Sequence, residues 1–361
     1  MENRQKATFN KVYAYKFDKL FPQYKKTLYC DFSNTLEKTG LEKMSDSEIY
    51  STIQKFDGDN ITENNMSKLL TETYLRLKQT EKAYPVDTVS FNNENNGSFG
   101  MHYWANVVSD KMAINIFNPK KYYEDMSKYD ATFNKDNIGM CVLSTMIHET
   151  QHDTQCVKIN KMLKGEELSP VDRVMGLTYL SSTCNLIEIN YTNQYIEFDA
   201  NYKAATDIYK LFKEGKIKDN YNNKLNLYND LLIILHAKKE NIIEDNTMYY
   251  DNLKDTFKKI NEPEIQKMVS FIKSSDKEDF AKEVSSRFDE LHSIRKELEK
   301  DLLKNMTTEM KKSLSNDKEN LELIKRINSN EEYNAVDSLK FKQLLGQIYN
   351  VKNNDEEKSF I

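Results

Sequence analysis

NIGMCVLSTMIHETQHDTQCVKIN, residues 137 to 160, is the stretch on which the reading of the whole chain turns. Ile138, Val142, Met146 and Ile147 recur at the three- and four-residue intervals of an α-helix, with polar residues gathering towards the far end. The spacing predicts a helix that carries HETQH, residues 148 to 152. Side chains four apart lie about 40° apart around a helix and point the same way, so His148 and His152 can share one metal ion through their imidazole nitrogens. Glu149 is turned by about 100° from His148, which lets its carboxylate reach a water on the ion without taking a ligand position. The competing reading is a solvated polar helix face.

A catalytic zinc needs a third protein ligand and an open position. Downstream, YIEFDANYKA offers Glu197, which shares a helix face with Asn201 while the small Ala200 permits close packing against the HETQH helix. Upstream, SFGMHYWANVV and MAINIFN are rich in aromatic and β-branched residues and flank a turn-like SDK, so a hairpin or small sheet is expected there.

Together, His148-Glu149-Thr150-Gln151-His152 and Glu197-Phe198-Asp199-Ala200-Asn201 resemble the gluzincin metallopeptidases, whose signature is HExxH followed by ExxxD or ExxA(N/D). The wording is similar to small intracellular peptidases related to the phage-repressor-cleaving family. It is similar also to HExQHxxQ domains of phage and mobile-element proteins, with Gln151 and Gln155 matching. The resemblance covers about residues 98 to 213 and implies a zincin-like core. It also implies one Zn2+ held by His148, His152 and Glu197, with Glu149 as the general base that takes a proton from the activated water and passes it to the leaving amine. It departs from many gluzincins in Asn201, which stands where they carry an Asp. The 45 residues from His152 to Glu197 form a long interval, and Glu188 or Asp199 compete for the third ligand position. Tyr191, Tyr195 and Tyr202 are the candidates for an oxyanion partner. MAINIFN is the candidate for a strand that binds substrate by adding it to the sheet, or else an ordinary strand.

The flanks read as helices. In the N-terminal part, NMSKLLTETYLRLKQTEKAY sets Met66, Leu70, Tyr74 and Leu77 near one stripe, and Pro85 with NNENNG marks a break. Ser169-Pro170-Val171-Asp172 has the form of a helix start. Beyond Gly215, residues Val284, Phe288, Leu291, Ile294, Leu298, Leu302 and Met306 form a seam that packs on the domain or pairs with another helix. The expected fold is mainly α (α+β): a helical region over 1–90, a zincin-like core over 91–215 and a helical region over 216–361.

Composition narrows the function. The net charge of -5, with 30% of residues charged and the signs interspersed, speaks against nucleic acid as a partner. No apolar run nears the roughly 20 residues of a membrane span, and the start lacks a signal core, so the cytoplasm is expected. Cys30, Cys141, Cys156 and Cys184 are scattered without a CxxC pair, which reads as reduced thiols. Cys141 and Cys156 lie near the His148 face, as buried thiols or, less simply, as ligands. His102 and His236 read as packed histidines and His292 as part of a solvated face. The leading expectation is a zinc endopeptidase acting on a protein or peptide, with homo-oligomers through the C-terminal helices left open. The other is an inactive zincin-like domain serving a mobile element as a scaffold or binding module, from which the presence of Glu149 would separate it.

Overall fold

The computed structural model describes residues 36, 38–79, 86–94, 98–103, 112–130, 133–183, 189–304, 318–329, 337 and 340–346. Among them, 12 α-helices surround a three-stranded sheet, in keeping with a mainly α (α+β) fold. The chain begins with α1 (Asp46–Gln54), α2 (Glu63–Leu77), β1 (Thr88–Asn92), β2 (Gly100–Tyr103), β3 (Ala113–Phe117), α3 (Lys120–Met126) and α4 (Ile138–Leu163). It continues with α5 (Pro170–Thr183), α6 (Tyr195–Lys213), α7 (Tyr221–His236), α8 (Lys239–Thr247), α9 (Tyr250–Phe257), α10 (Pro263–Phe271), α11 (Asp276–Lys304) and α12 (Lys318–Ser329).

Local chemistry fixes the starts of several helices. Ser45 accepts from the Glu48 amide while the Glu48 carboxylate reaches back to the Ser45 amide, a reciprocal cap on α1. Thr62 accepts from the Asn65 amide to open α2, which buries Met66, Leu69, Leu70 and Tyr74 as the stripe requires. Ser169 accepts from the Asp172 amide at 3.1 Å, so the Ser-Pro start of α5 forms as expected.

The sheet has the order β1-β3-β2, with β1 parallel and β2 antiparallel to β3. The expected hairpin partners do pair; the linking SDK and the second half of SFGMHYWANVV lie outside the described residues. MAINIFN cannot be the substrate-adding strand. It supplies β3, whose two edges are already occupied by β1 and β2, so no backbone donors or acceptors are left for a peptide. Among the described residues β2 is the antiparallel edge strand, and like β3 it lies against α4.

α4 is the hub of the fold. It packs against α1, α2, β2, β3, α5 and α6, which is why its apolar residues are not confined to one side. Where α4 begins, a Cβ on Gly139 would lie 2.2 Å from the Ile53 carbonyl oxygen, so the close approach of α1 needs glycine there. A buried polar cluster ties α4 to α2: Asp153, fully buried, accepts from the Tyr74 hydroxyl at 2.8 Å and pairs with Lys78 at 3.2 Å. His102 on β2 sits 3.5 Å from the same carboxylate, as a packed histidine.

One apolar cluster joins side chains from Ile49 to Leu298, and a smaller one groups Leu225 and Tyr228 with Leu302, Leu323 and Phe341. The seam of α11 packs into the chain itself: Val284, Phe288, Leu291, Ile294, Leu298 and Leu302 are all buried, while Met306 is outside the described residues. His236, by contrast, is exposed and not a core histidine, because α7 buries only the Leu231 and Ile234 side of its apolar run. His292 is half-buried. No helix among the described residues is long and apolar enough to cross a membrane.

Candidate metal centre

His148 and His152 project from the middle of α4, and Glu197 projects towards them from the first turn of α6. The two Nε2 atoms are 3.0 Å apart, and each lies 3.6 Å from one oxygen of the Glu197 carboxylate. Bonds of about 2.0–2.1 Å to a tetrahedral ion separate neighbouring donors by about 3.3–3.4 Å, so the three side chains already stand at coordinating spacing. These three form a His/His/Glu cluster able to hold a metal ion. Two imidazoles and one carboxylate suit zinc better than magnesium or calcium, which prefer oxygen throughout.

The orientation of His152 is set by a chain of hydrogen bonds behind it. The fully buried Gln155 uses its amide nitrogen to donate to the Ile196 carbonyl (2.9 Å) and to Asp199 Oδ2 (2.6 Å). Its Oε1 therefore faces His152 Nδ1 at 2.9 Å, and only an N–H there completes the bond. That tautomer leaves the Nε2 lone pair pointing at the cluster, the arrangement metal-ligating histidines need. Gln151 also donates to Asp199 Oδ2 (2.6 Å), and Arg287 of α11 pairs with Oδ1. Asp199 thus has its oxygens committed to two amides and a guanidinium, which removes it as an alternative third ligand. Glu188, the other alternative, lies outside the described residues.

Electrostatics follow the same geometry. Burial opposes the charge of Glu197, but His148 and His152 outweigh it and hold the carboxyl well below its ordinary range. Burial likewise opposes a proton on His152, yet Glu197, Glu149 and the Gln155 contact overcome it and raise the imidazole from its ordinary 6.5 to about 9. Asp199, although buried, is kept below the usual carboxylate value by Arg287 and the two glutamines. Without an ion, the Glu197 carboxylate 3.6 Å away favours a proton on the His152 imidazole.

Glu149 is 5% exposed and borders a cavity of about 320 Å³ together with His148, Tyr191 and Asn201. Strand β2 presses on it directly: a Cβ on Gly100 would stand 2.6 Å from Glu149 Oε1 and 2.6 Å from Thr145 Cγ2. Glycine at this position lets the edge strand run beside the carboxylate. Of the three tyrosines, only Tyr191 comes to the site. It stands in the short 3-10 turn Tyr191–Asn193, and its hydroxyl donates to Glu197 Oε2 at 2.6 Å. Burial of its hydroxyl end and the nearby Glu197 charge push its pKa far up, so it remains a donor. Tyr195 is buried against Phe280, and the Tyr202 hydroxyl bonds Glu290.

Asn201 lines the cavity wall. Cys141 lines the cavity too, its thiol pushed up to about 12 by burial and by Asp230, and Cys156 is buried; both are thiols outside the ligand cluster. Cys30 and Cys184 are outside the described residues. Three contributors carried no advance signal of their role. Gly100 reads as a strand residue, Arg287 lies 88 residues from its partner, and Asp230 is a single acid in the otherwise apolar LLIIL neighbourhood of α7. The chain matches no protein-family model, no curated protein and no solved structure.

Proposed function

We propose that the protein is a zinc-dependent peptidase, an endopeptidase rather than an exopeptidase, that hydrolyses a protein or peptide substrate at this site. The observation that carries the reading is the conjunction of a His148/His152/Glu197 cluster at coordinating spacing with a buried Glu149 that borders a substrate-sized cavity. It also draws on the resemblance of HETQH and EFDAN to the gluzincins. In that reading the ligands are His148, His152 and Glu197, with one Zn2+ per chain.

Zinc, when bound, supplies Lewis-acid polarisation of the scissile carbonyl and acidifies a water. The residues of the chain do the rest. Glu149 would be the base that takes a proton from the attacking water and returns it to the leaving amide nitrogen as the C–N bond breaks, as a carboxylate one position from a ligand can. Tyr191 Oη, at the cavity edge, is the donor placed to turn from Glu197 to the carbonyl oxygen as its charge develops. Ser98, Phe99 and Gly100 line the cavity, so a peptide paired to the edge of β2 would pass Glu149 with its backbone held by main-chain hydrogen bonds. The proposed setting is the cytoplasm, with Cys141 and Cys156 as thiols.

Glu149→Gln tests the assignment, with cleavage of an unstructured protein followed by mass spectrometry. The expected outcome is loss of cleavage by at least about 100-fold with zinc retained. Zinc binding by a wild type that cleaves no unstructured or folded protein would instead support the scaffold reading.

A further inference from the structure

The cavity beside the cluster is chemically divided. Along α4 from His148 and Glu149 its lining passes Thr145 and Ser144 and then Cys141, about 6 Å and 10 Å back along the helix axis. Tyr122, Tyr123, Phe99 and Phe133 supply aromatic walls, and α7 contributes Asn226, Asn229 and Asp230.

Asp230 is the unusual member. Its Oδ2 accepts from Ser144 Oγ at 3.3 Å, and among the described residues no cation stands beside it. Lys342, which lies over the Phe133 ring of the cavity wall, pairs with Asp130. Burial raises the Asp230 carboxyl from its ordinary range to about 7, with only the Ser144 hydroxyl working against the shift. A half-buried carboxylate without a counter-charge is costly, and in a cavity open to substrate that cost is relieved by a cation from outside. Aromatic faces favour the same guest. Ile233, 68% exposed at the cavity, offers apolar surface for a methylene stem.

We propose that this cavity is a side-chain pocket for a lysine or arginine of the substrate, with Asp230 pairing with its charge. The inference rests on the peptidase reading. One helical turn separates Ser144, the Asp230 partner, from His148, a span matched by the four-carbon stem of lysine when the residue sits beside the scissile bond. Asp230 acts on selection of the substrate and not on the reacting atoms.

The test uses zinc-loaded full-length protein and peptides that differ at one position next to the cleaved bond, lysine or arginine against norleucine. The wild type should prefer the basic peptide in kcat/KM, and Asp230→Asn should reduce that ratio at least about 30-fold with zinc content unchanged. A wild type that cleaves without a basic preference at any position beside the bond would overturn the proposal, as would an equal preference in a folded Asp230→Asn. Calorimetric binding of n-butylguanidinium to the same proteins separates the two readings. Saturable binding by the wild type, weakened at least about tenfold in Asp230→Asn, is expected whether or not any peptide is cleaved. Binding through Asp230 without cleavage would sink the peptidase and keep the pocket. Cleavage with neither the preference nor the binding would keep the peptidase and sink the pocket.

Discussion

Replacing Gln155 by leucine isolates the hydrogen-bond chain behind the metal cluster. The side chain is fully buried and makes three bonds: 2.9 Å to His152 Nδ1, 2.9 Å to the Ile196 carbonyl and 2.6 Å to the Asp199 carboxylate. One neutral bond at about 0.5–1.5 kcal/mol and two to charged groups, Asp199 and the protonated His152 of the metal-free protein, at about 1.5–3 kcal/mol each give a gross loss of about 3.5–7.5 kcal/mol. Apolar burial of leucine offsets about 1–2 kcal/mol of that, leaving a metal-free protein destabilised by about 2–6 kcal/mol. The effect on the metal is separate. With no acceptor for Nδ1–H, His152 is free to rotate or change tautomer, and loss of such a support weakens metal binding about 10–100-fold, or about 1.4–2.8 kcal/mol. Zinc competition against a chromophoric chelator reads the second quantity, and urea denaturation of the metal-free protein reads the first. Gln151→Leu is the control, since Gln151 bonds Asp199 and not His152; it should cost stability but change zinc affinity less than about threefold. A folded Gln155→Leu that binds zinc within about threefold of wild type would refute the role given to Gln155.

Three further outcomes follow from the site. Gly100→Ala puts a Cβ 2.6 Å from both Glu149 Oε1 and Thr145 Cγ2, so the base must move by up to about 1 Å; cleavage should fall about 100-fold while zinc content, measured on the same sample, holds. Zinc affinity should climb with pH, because His152 keeps a proton up to about 9 and the ion must displace it: about tenfold per pH unit from 7 to 9, then level, by chelator competition at each pH. Stability of the metal-free protein runs the other way, since a raised folded value gives a contribution complete below the ordinary 6.5 and lost as pH rises through about 9. Urea denaturation across that window should show the loss in wild type and not in His152→Ala.

The parts of the site that are close in sequence were readable from it, and the parts joined through space were not. His148, Glu149 and His152 fall within five consecutive positions, so helical geometry alone puts them together in the middle of one helix. Glu197 followed from its own helix and from the pattern it shares with HETQH, and the structure brings it to both histidines. Apolar periodicity also anticipated α2, α4 and the buried seam of α11. It could not say what a face meets. Arg287 lies between the seam positions Val284 and Phe288, and its reach to Asp199 depends on how α11 crosses α6. Strand order escaped for the same reason: the alternation of MAINIFN reports a half-buried strand but not its neighbours, and the short β1, three residues beyond Pro85, takes one edge. In LLIILH, six helical residues that read as core are split by the helix into a buried Leu231–Ile234 side and an exposed side with Ile233 and His236.

Zinc stoichiometry by elemental analysis, on wild type, His148→Ala, His152→Ala, Glu197→Ala and Glu149→Gln purified with zinc present, tests the centre of this account. The account predicts one zinc per wild-type chain, loss of the ion in each of the three ligand variants, and full occupancy in Glu149→Gln. A folded wild type without zinc would contradict it, as would a Glu197→Ala that binds the ion as tightly as wild type.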